Sequence, residues 1–133
     1  MIVVDSRVWI DYFNGTASSA SEKLHALLGV ESLAVGDCIL AEVLQGFRKD
    51  ADYRVAKKLM TSLTVFDMLG QRSAIRCADN FRALRKRGIT VRRTVDVVIA
   101  SFCIQRNLPL LFQDRDFLPF VEHLGLRSVA KGT

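Results

Sequence analysis

A chain of 133 residues, half of them apolar, can bury roughly two-thirds of its unfolded surface in one self-sufficient core, so a single domain over residues 1–133 is the expectation. No apolar run approaches the roughly 20 residues of a membrane span, and no basic segment with a cleavable apolar one opens the chain, so the reading is a cytoplasmic protein with no membrane segment. The net charge of +5 and a pI near 9.4 favour a polyanionic partner, nucleic acid first, while three widely spaced cysteines exclude a disulfide framework or zinc motif and two histidines in amphipathic stretches argue against histidine chemistry.

Ile2, Val3 and Val4 form an uninterrupted apolar run, the pattern of a strand buried on both faces of a parallel sheet, and it stops on Asp5-Ser6. An ionised carboxylate there is costly unless a cation or a set of donors meets it. Val8, Trp9, Tyr12 and Phe13 then recur at helical spacing and Asn14-Gly15 closes the turn, so strand, turn and helix open an α/β unit. Residues 16–21 are a small polar loop in which Ser18 or Ser19 caps a helix striped by Leu24, Leu27 and Leu28 and ended by Gly29. Residues 33–36 read as a short strand, after which Asp37 stands as N-cap of a helix over 38–46 that is apolar almost all round except at Glu42. A glutamate in that setting either reaches out through a narrow polar gap or belongs to a buried polar site.

Residues 50–63 read as a helix with Val55, Leu59 and Leu63 on one side and Arg54, Lys57 and Lys58 near the other, and Thr64-Val65-Phe66 as a third strand. The longest helix is expected over 71–87, ended by Gly88, with Ile75, Ala78, Phe81, Ala83 and Leu84 inward and Arg72, Arg76, Arg82, Arg85, Lys86 and Arg87 toward solvent. Such a face fits a solvated surface as well as a nucleic-acid surface. After a loop over 89–93, Thr94 is the expected N-cap of an apolar stretch over 95–104, whose length favours helix over strand in spite of its β-branched residues. Asp96 falls in its first turn, where the helix dipole favours negative charge. Asn107-Leu108-Pro109 breaks the helix, and Leu110-Leu111-Phe112 reads as a buried strand that runs, like the first, onto carboxylates, Asp114 and Asp116. A helix over 117–124 and an edge strand around 127–129 complete the pattern.

Open parallel α/β sheets bind ligands outside the carboxyl ends of their strands, near a topological switch point. Asp5 and Asp114 occupy such ends, and Asp96 and Glu42 can reach the same edge. Taken singly, each has a bland explanation: Asp114 and Asp116 as caps, Asp96 as a helix-dipole residue, Glu42 as a snorkelling side chain, and Asp11 as solvated. Four acids in apolar settings without matching buried lysines argue for a shared pocket. Two carboxylates about 5 Å apart repel by roughly 3 kcal/mol at an effective dielectric near 20, a cost that a divalent cation removes. Oxygen ligands without His or Cys select hard ions, Mg²⁺ or Mn²⁺, and one or two such ions activate water for attack on phosphorus.

Asp5-Ser6 after an apolar strand, Glu42 in an Ala-Glu-Val-Leu-Gln-Gly context, Thr94-Val95-Asp96 before an Ile-Ala helix, and Asp114-Arg115-Asp116-Phe117 together make the chain resemble a PIN domain, and more narrowly the VapC toxins of bacterial toxin-antitoxin pairs. The resemblance spans nearly the whole chain and implies a PIN-like three-layer α/β/α fold with a mostly parallel central sheet. It implies a metal-dependent endoribonuclease in which Asp5, Glu42, Asp96 and Asp114 hold Mg²⁺ or Mn²⁺, Asp116 is a fifth or water-mediated acid, and Ser6 is a supporting hydroxyl. It further implies an RNA substrate, a cognate VapB-type antitoxin that blocks the pocket, and a homodimer. Gln113 is assigned no role, and Arg92 and Arg93 are candidates for RNA phosphate contacts, with pairing to a nearby Asp or Glu as the alternative. A receiver domain wants an additional early acid pair and an aspartyl-phosphate phosphatase an Asp-x-Asp motif, and Asp5-Ser6-Arg7 offers neither. The rival from another class is a non-catalytic nucleic-acid- or antitoxin-binding module with a vestigial acidic pocket.

Overall fold

The apolar runs at Ile2, Leu33, Thr64 and Leu110 pair with one another in the computed structural model, which describes residues 1–129. Strands β1 (Ile2–Val4), β2 (Leu33–Gly36), β3 (Thr64–Phe66) and β4 (Leu110–Leu111) form one sheet in the order β3-β2-β1-β4, with every pairing parallel. Helices α1 (Ser6–Asn14) and α2 (Ser19–Leu27) join β1 to β2, and α3 (Asp37–Leu44) and α4 (Asp50–Thr61) join β2 to β3. Helices α5 (Gln71–Lys86) and α6 (Thr94–Arg106) lead back to β4, followed by a 3₁₀ turn, Arg115–Phe117, and α7 (Leu118–Leu124).

The steps from β1 to β2 to β3 run one way across the sheet and the return to β4 runs the other way. Right-handed crossovers therefore set α1 to α4 on one face and α5 and α6 on the opposite face. The packing agrees: α1 lies on α2 and α3, α3 on α4, and α5 on α6 and α7. Strands covered on both faces must be apolar throughout, and Val3, Val4, Ala34, Val35 and Leu110 are fully enclosed. Trp9, Leu24 and Ile39 are equally buried, as are Leu84, Ile99 and Phe120. Because the chain leaves β1 toward β2 and returns to β1's other side at β4, the switch point lies between β1 and β4, with Asp5 and Asp114 just beyond their ends.

Several local expectations move. Asp37 is the first residue inside α3, with Gly36 as its N-cap; its carboxylate accepts from the Cys38 N–H at 2.8 Å and from the Met68 N–H at 3.2 Å. Arg93, not Thr94, is the N-cap of α6. Val55 and Ile75 face outward, 67% and 55% exposed, because Ala56 and Met60 on α4 and Cys77 and Leu84 on α5 occupy the buried stripes. The expected last strand reduces to one bridge, Leu110 with Ser128, closed by N–H donation from Leu110 to Arg127 and from Val129 to Leu110. Among the described residues no helix is long and apolar enough to cross a membrane.

Candidate active site

Asp5 is the N-cap of α1 in extended conformation, and its carbonyl accepts from the N–H groups of Val8 and Trp9 while its carboxylate makes no capping bond. The Asp5 N–H donates to Leu111 O at 3.0 Å, which ties the end of β1 to the end of β4. Asp96 stands in the first turn of α6 and is 3% exposed. Asp114 follows β4 and caps the 3₁₀ turn, accepting from the Asp116 N–H at 2.9 Å. Glu42 arrives from α3, and the Ser6 hydroxyl donates to its Oε1 at 3.0 Å, with Asp5 Oδ1 3.5 Å from the same hydroxyl.

Asp96, Asp114 and Asp116 each offer a carboxylate oxygen within 4.8 Å of the other two. Asp116 thus belongs to the tight triplet, whereas Asp5 and Glu42 stand outside it and act on it through charge. Burial pushes the Asp5 carboxyl up to about 7, with the Asp96 and Glu42 charges adding to the rise and backbone N–H donors opposing it. Burial likewise pushes Asp96 up to about 6, with Arg93 working against it and Asp114, Asp116 and Glu42 with it. Asp96 Oδ2 is buried and accepts no hydrogen bond among the described residues. An orphaned carboxylate oxygen amid other carboxylates is costly unless a cation meets it, and an all-oxygen donor set suits Mg²⁺ or Mn²⁺. The residues present fit such an ion.

Arg92 and Arg93 are paired with this cluster. Arg93 donates to Glu42 Oε2 at 2.6 Å and Arg92 to Asp116 Oδ2 at 3.0 Å, both guanidiniums at least half exposed. The remaining α5 and α4 cations face solvent as expected. Both histidines lie at the surface. All three cysteines are free, and burial pushes the thiols of Cys38 and Cys103 up to about 11 and about 12, so neither is a nucleophile near neutrality.

Asp11, expected to be solvated, and Gln113, assigned no role, are brought together by the fold. Asp11 is not solvated: it is buried, 3.6 Å from the Arg7 guanidinium, and accepts from Gln113 Nε2 at 2.6 Å. The Ser18 hydroxyl, which also caps α2, lies 3.2 Å from Gln113 Oε1. The only available signal was a carboxylate in the same helical turn as Trp9, Tyr12 and Phe13, with its partner 102 positions away.

A model of the PIN domain family matches residues 2–120. Ribonuclease VapC11 of Mycobacterium tuberculosis is 33% identical over 122 residues, covering 88% of this chain and 89% of the relative. Among solved structures, VapBC2 from Rickettsia felis, bound to a DNA fragment from their promoter, superposes with a TM-score of 0.74 at 20% identity, covering 96% of this chain and 97% of that one. A toxin-antitoxin complex from Klebsiella pneumoniae gives a TM-score of 0.71 at 15% identity, covering 98% and 97%. At those identities the structures speak for the fold, which is the one described above. With the family match across nearly all of its length and the curated relative at one-third identity, the chain belongs to the PIN-domain family, in its VapC group.

Proposed function

We propose that the protein is a Mg²⁺- or Mn²⁺-dependent endoribonuclease, the toxin of a VapBC-type pair, and that Asp5, Glu42, Asp96, Asp114 and Asp116 form its metal and catalytic site. The observation that carries this reading is the Asp96-Asp114-Asp116 triplet, with its unpartnered Asp96 oxygen, at the switch point of a PIN fold. When bound, the ion supplies positive charge that acidifies water and neutralises the phosphate.

The chain's own groups do the rest. Asp96, Asp114 and Asp116 hold the ion, and Glu42, kept in place by Ser6, faces them from α3. Asp5, at the end of β1 beside Asp96 and outside the triplet, takes the proton released from the attacking water. Arg92 and Arg93 bind RNA phosphates at the mouth; both of their ion pairs are open to solvent and therefore weak, so exchanging Asp116 and Glu42 for phosphate costs little. A VapB-type antitoxin covers the pocket, a second copy completes a homodimer, and the protein works in the cytoplasm. Support for the antitoxin partner comes from the toxin-antitoxin complex of the same fold.

The test is cleavage of a mixed RNA by purified protein with Mn²⁺, with and without chelator, for wild type, Asp5→Asn and Asp96→Asn. Cleavage should require the metal and fall at least about 100-fold in both variants, with metal-free melting temperatures at or above wild type. Undiminished cleavage by either variant overturns that residue's assignment, and metal-independent cleavage overturns the mechanism. No cleavage, together with salt-sensitive RNA binding, would leave a binding module instead.

A further inference from the structure

Beyond the β1–β4 strand pairing, the segment from β4 into the 3₁₀ turn is fastened to the start of the chain at two points. One is backbone: the Asp5 N–H donates to Leu111 O at 3.0 Å. The other is the Gln113 side chain, which uses both ends of its amide. Its Nε2 donates to Asp11 Oδ2 at 2.6 Å, and its Oε1 lies 3.2 Å from the Ser18 hydroxyl. A carboxylate on one side and a hydroxyl on the other fix the amide's orientation, because only the nitrogen can satisfy Asp11. Ser18 is itself held in a reciprocal cap with Ser21 at the start of α2, and Asp11 is buried on α1. Gln113 therefore joins α1, α2 and the end of β4 immediately before Asp114.

We propose that Gln113, through Asp11, is a positioning residue that sets the Asp114 carboxylate within the acidic cluster. The inference rests on the ribonuclease reading and adds a residue pair outside the acid set. Groups hydrogen-bonded to a metal ligand are typically worth about 10- to 100-fold in metal affinity or activity; Gln113 acts one residue removed, through the backbone, so the lower end of that range is expected. Arg7, 3.6 Å from Asp11 and largely exposed, is the neighbouring charge on the same helix, and its pairing with Asp11 does not engage Gln113.

Three variants separate positioning from mere stability: Gln113→Met, which keeps length without hydrogen bonds; Gln113→Glu, which sets a second carboxylate against Asp11; and Gln113→Glu with Asp11→Asn, which exchanges donor and acceptor across the same contact. Mn²⁺ affinity by titration calorimetry, kcat and KM on RNA, and melting temperature are read for each. The two single variants should weaken Mn²⁺ binding and lower kcat at least about 10-fold with KM unchanged, and the double variant should recover to within about 3-fold of wild type. Wild-type Mn²⁺ affinity and kcat in Gln113→Met, or a double variant no better than Gln113→Glu, overturns the proposal. Wild-type protein that neither binds Mn²⁺ nor cleaves RNA brings down the ribonuclease reading, and the positioning role with it.

Discussion

Arg93 faces a choice between two anions: it sits 2.6 Å from Glu42 and, by Coulomb interaction, opposes the rise of the Asp96 carboxyl. A divalent ion entering the cluster meets that positive charge as a competitor, whereas an RNA phosphate meets it as a ligand. Arg93→Ala should therefore tighten Mn²⁺ binding and weaken RNA binding, each a few-fold, as expected for an exposed pair worth about 0.2–1 kcal/mol. Lower sensitivity of RNA binding to salt, by about 0.7 in the log–log slope, should accompany the loss of one phosphate contact. Calorimetric titration of Mn²⁺ and filter binding of RNA over a salt series measure both; a loss in both affinities would mean that Arg93 only props the loop. At this scale Asp5, Glu42, Asp96 and Asp114 were legible because each interrupts an apolar run or stands at its end. Asp11 was not: it too interrupts an apolar run, but on an amphipathic helix a lone acid reads as the solvated face, and its partner Gln113 lies 102 positions away.

The elements were legible wherever one periodicity dominated. Strand β1, with no polar residue, and α6, too long for a strand, follow directly from their residues. Boundaries slipped by one residue at α3 and α6 because Gly36 and Arg93 adopt extended backbone without contributing a capping side chain, leaving no residue-type signal. Faces were misjudged on α4 and α5, where the buried stripe uses small or sulfur-bearing residues, Ala56, Met60 and Cys77, and Val55 and Ile75 are left outside. Sulfur packing also governs the β2–α3 junction. A Cβ on Gly36 would lie 2.2 Å from Met68 Sδ and 2.5 Å from its Cε, and Met68 is fully buried. Gly36→Ala must displace that side chain, which should cost about 1–3 kcal/mol and disturb the helix that carries Glu42. Urea denaturation should give a lower midpoint at unchanged slope, and adding Met68→Ala should cost less than the sum of the two substitutions; strict additivity would mean that the thioether is not the obstacle.

For the whole molecule, a net charge of +5 coexists with a knot of acids at one sheet edge, and the order of strands that gathers them was not legible, because pairing partners come from distant segments. That knot makes stability depend on pH in a definite direction. Asp5 and Asp96 hold their protons up to about 7 and about 6 in the folded state, against 3.8 for the ordinary carboxyl. Below about pH 4 both are protonated whether or not the chain is folded, and their stabilising contribution is complete. Between about pH 4 and 7 the unfolded chain has released these protons while the folded chain still binds them, so rising pH favours unfolding. Above about pH 7 the contribution is gone; the part lost between about pH 5 and 8 is on the order of 2–4 kcal/mol for the pair, with the Asp96 share discounted for solvent screening. Metal-free protein should therefore lose roughly 5–15 °C of melting temperature from these groups between pH 5 and 8. Asp5→Asn should flatten that profile and melt above wild type at pH 8. Mn²⁺ binds the ionised carboxylates and competes with protons, so its stabilising effect should be small at pH 5 and grow through pH 7, reversing the metal-free trend. Thermal melts of wild type and Asp5→Asn across this range, with Mn²⁺ or with chelator, isolate the contribution from every other titrating group. A Mn²⁺ gain independent of pH would place the ion elsewhere than on this cluster, and metal-free wild type and Asp5→Asn profiles that run parallel would mean that Asp5 does not hold its proton toward neutrality.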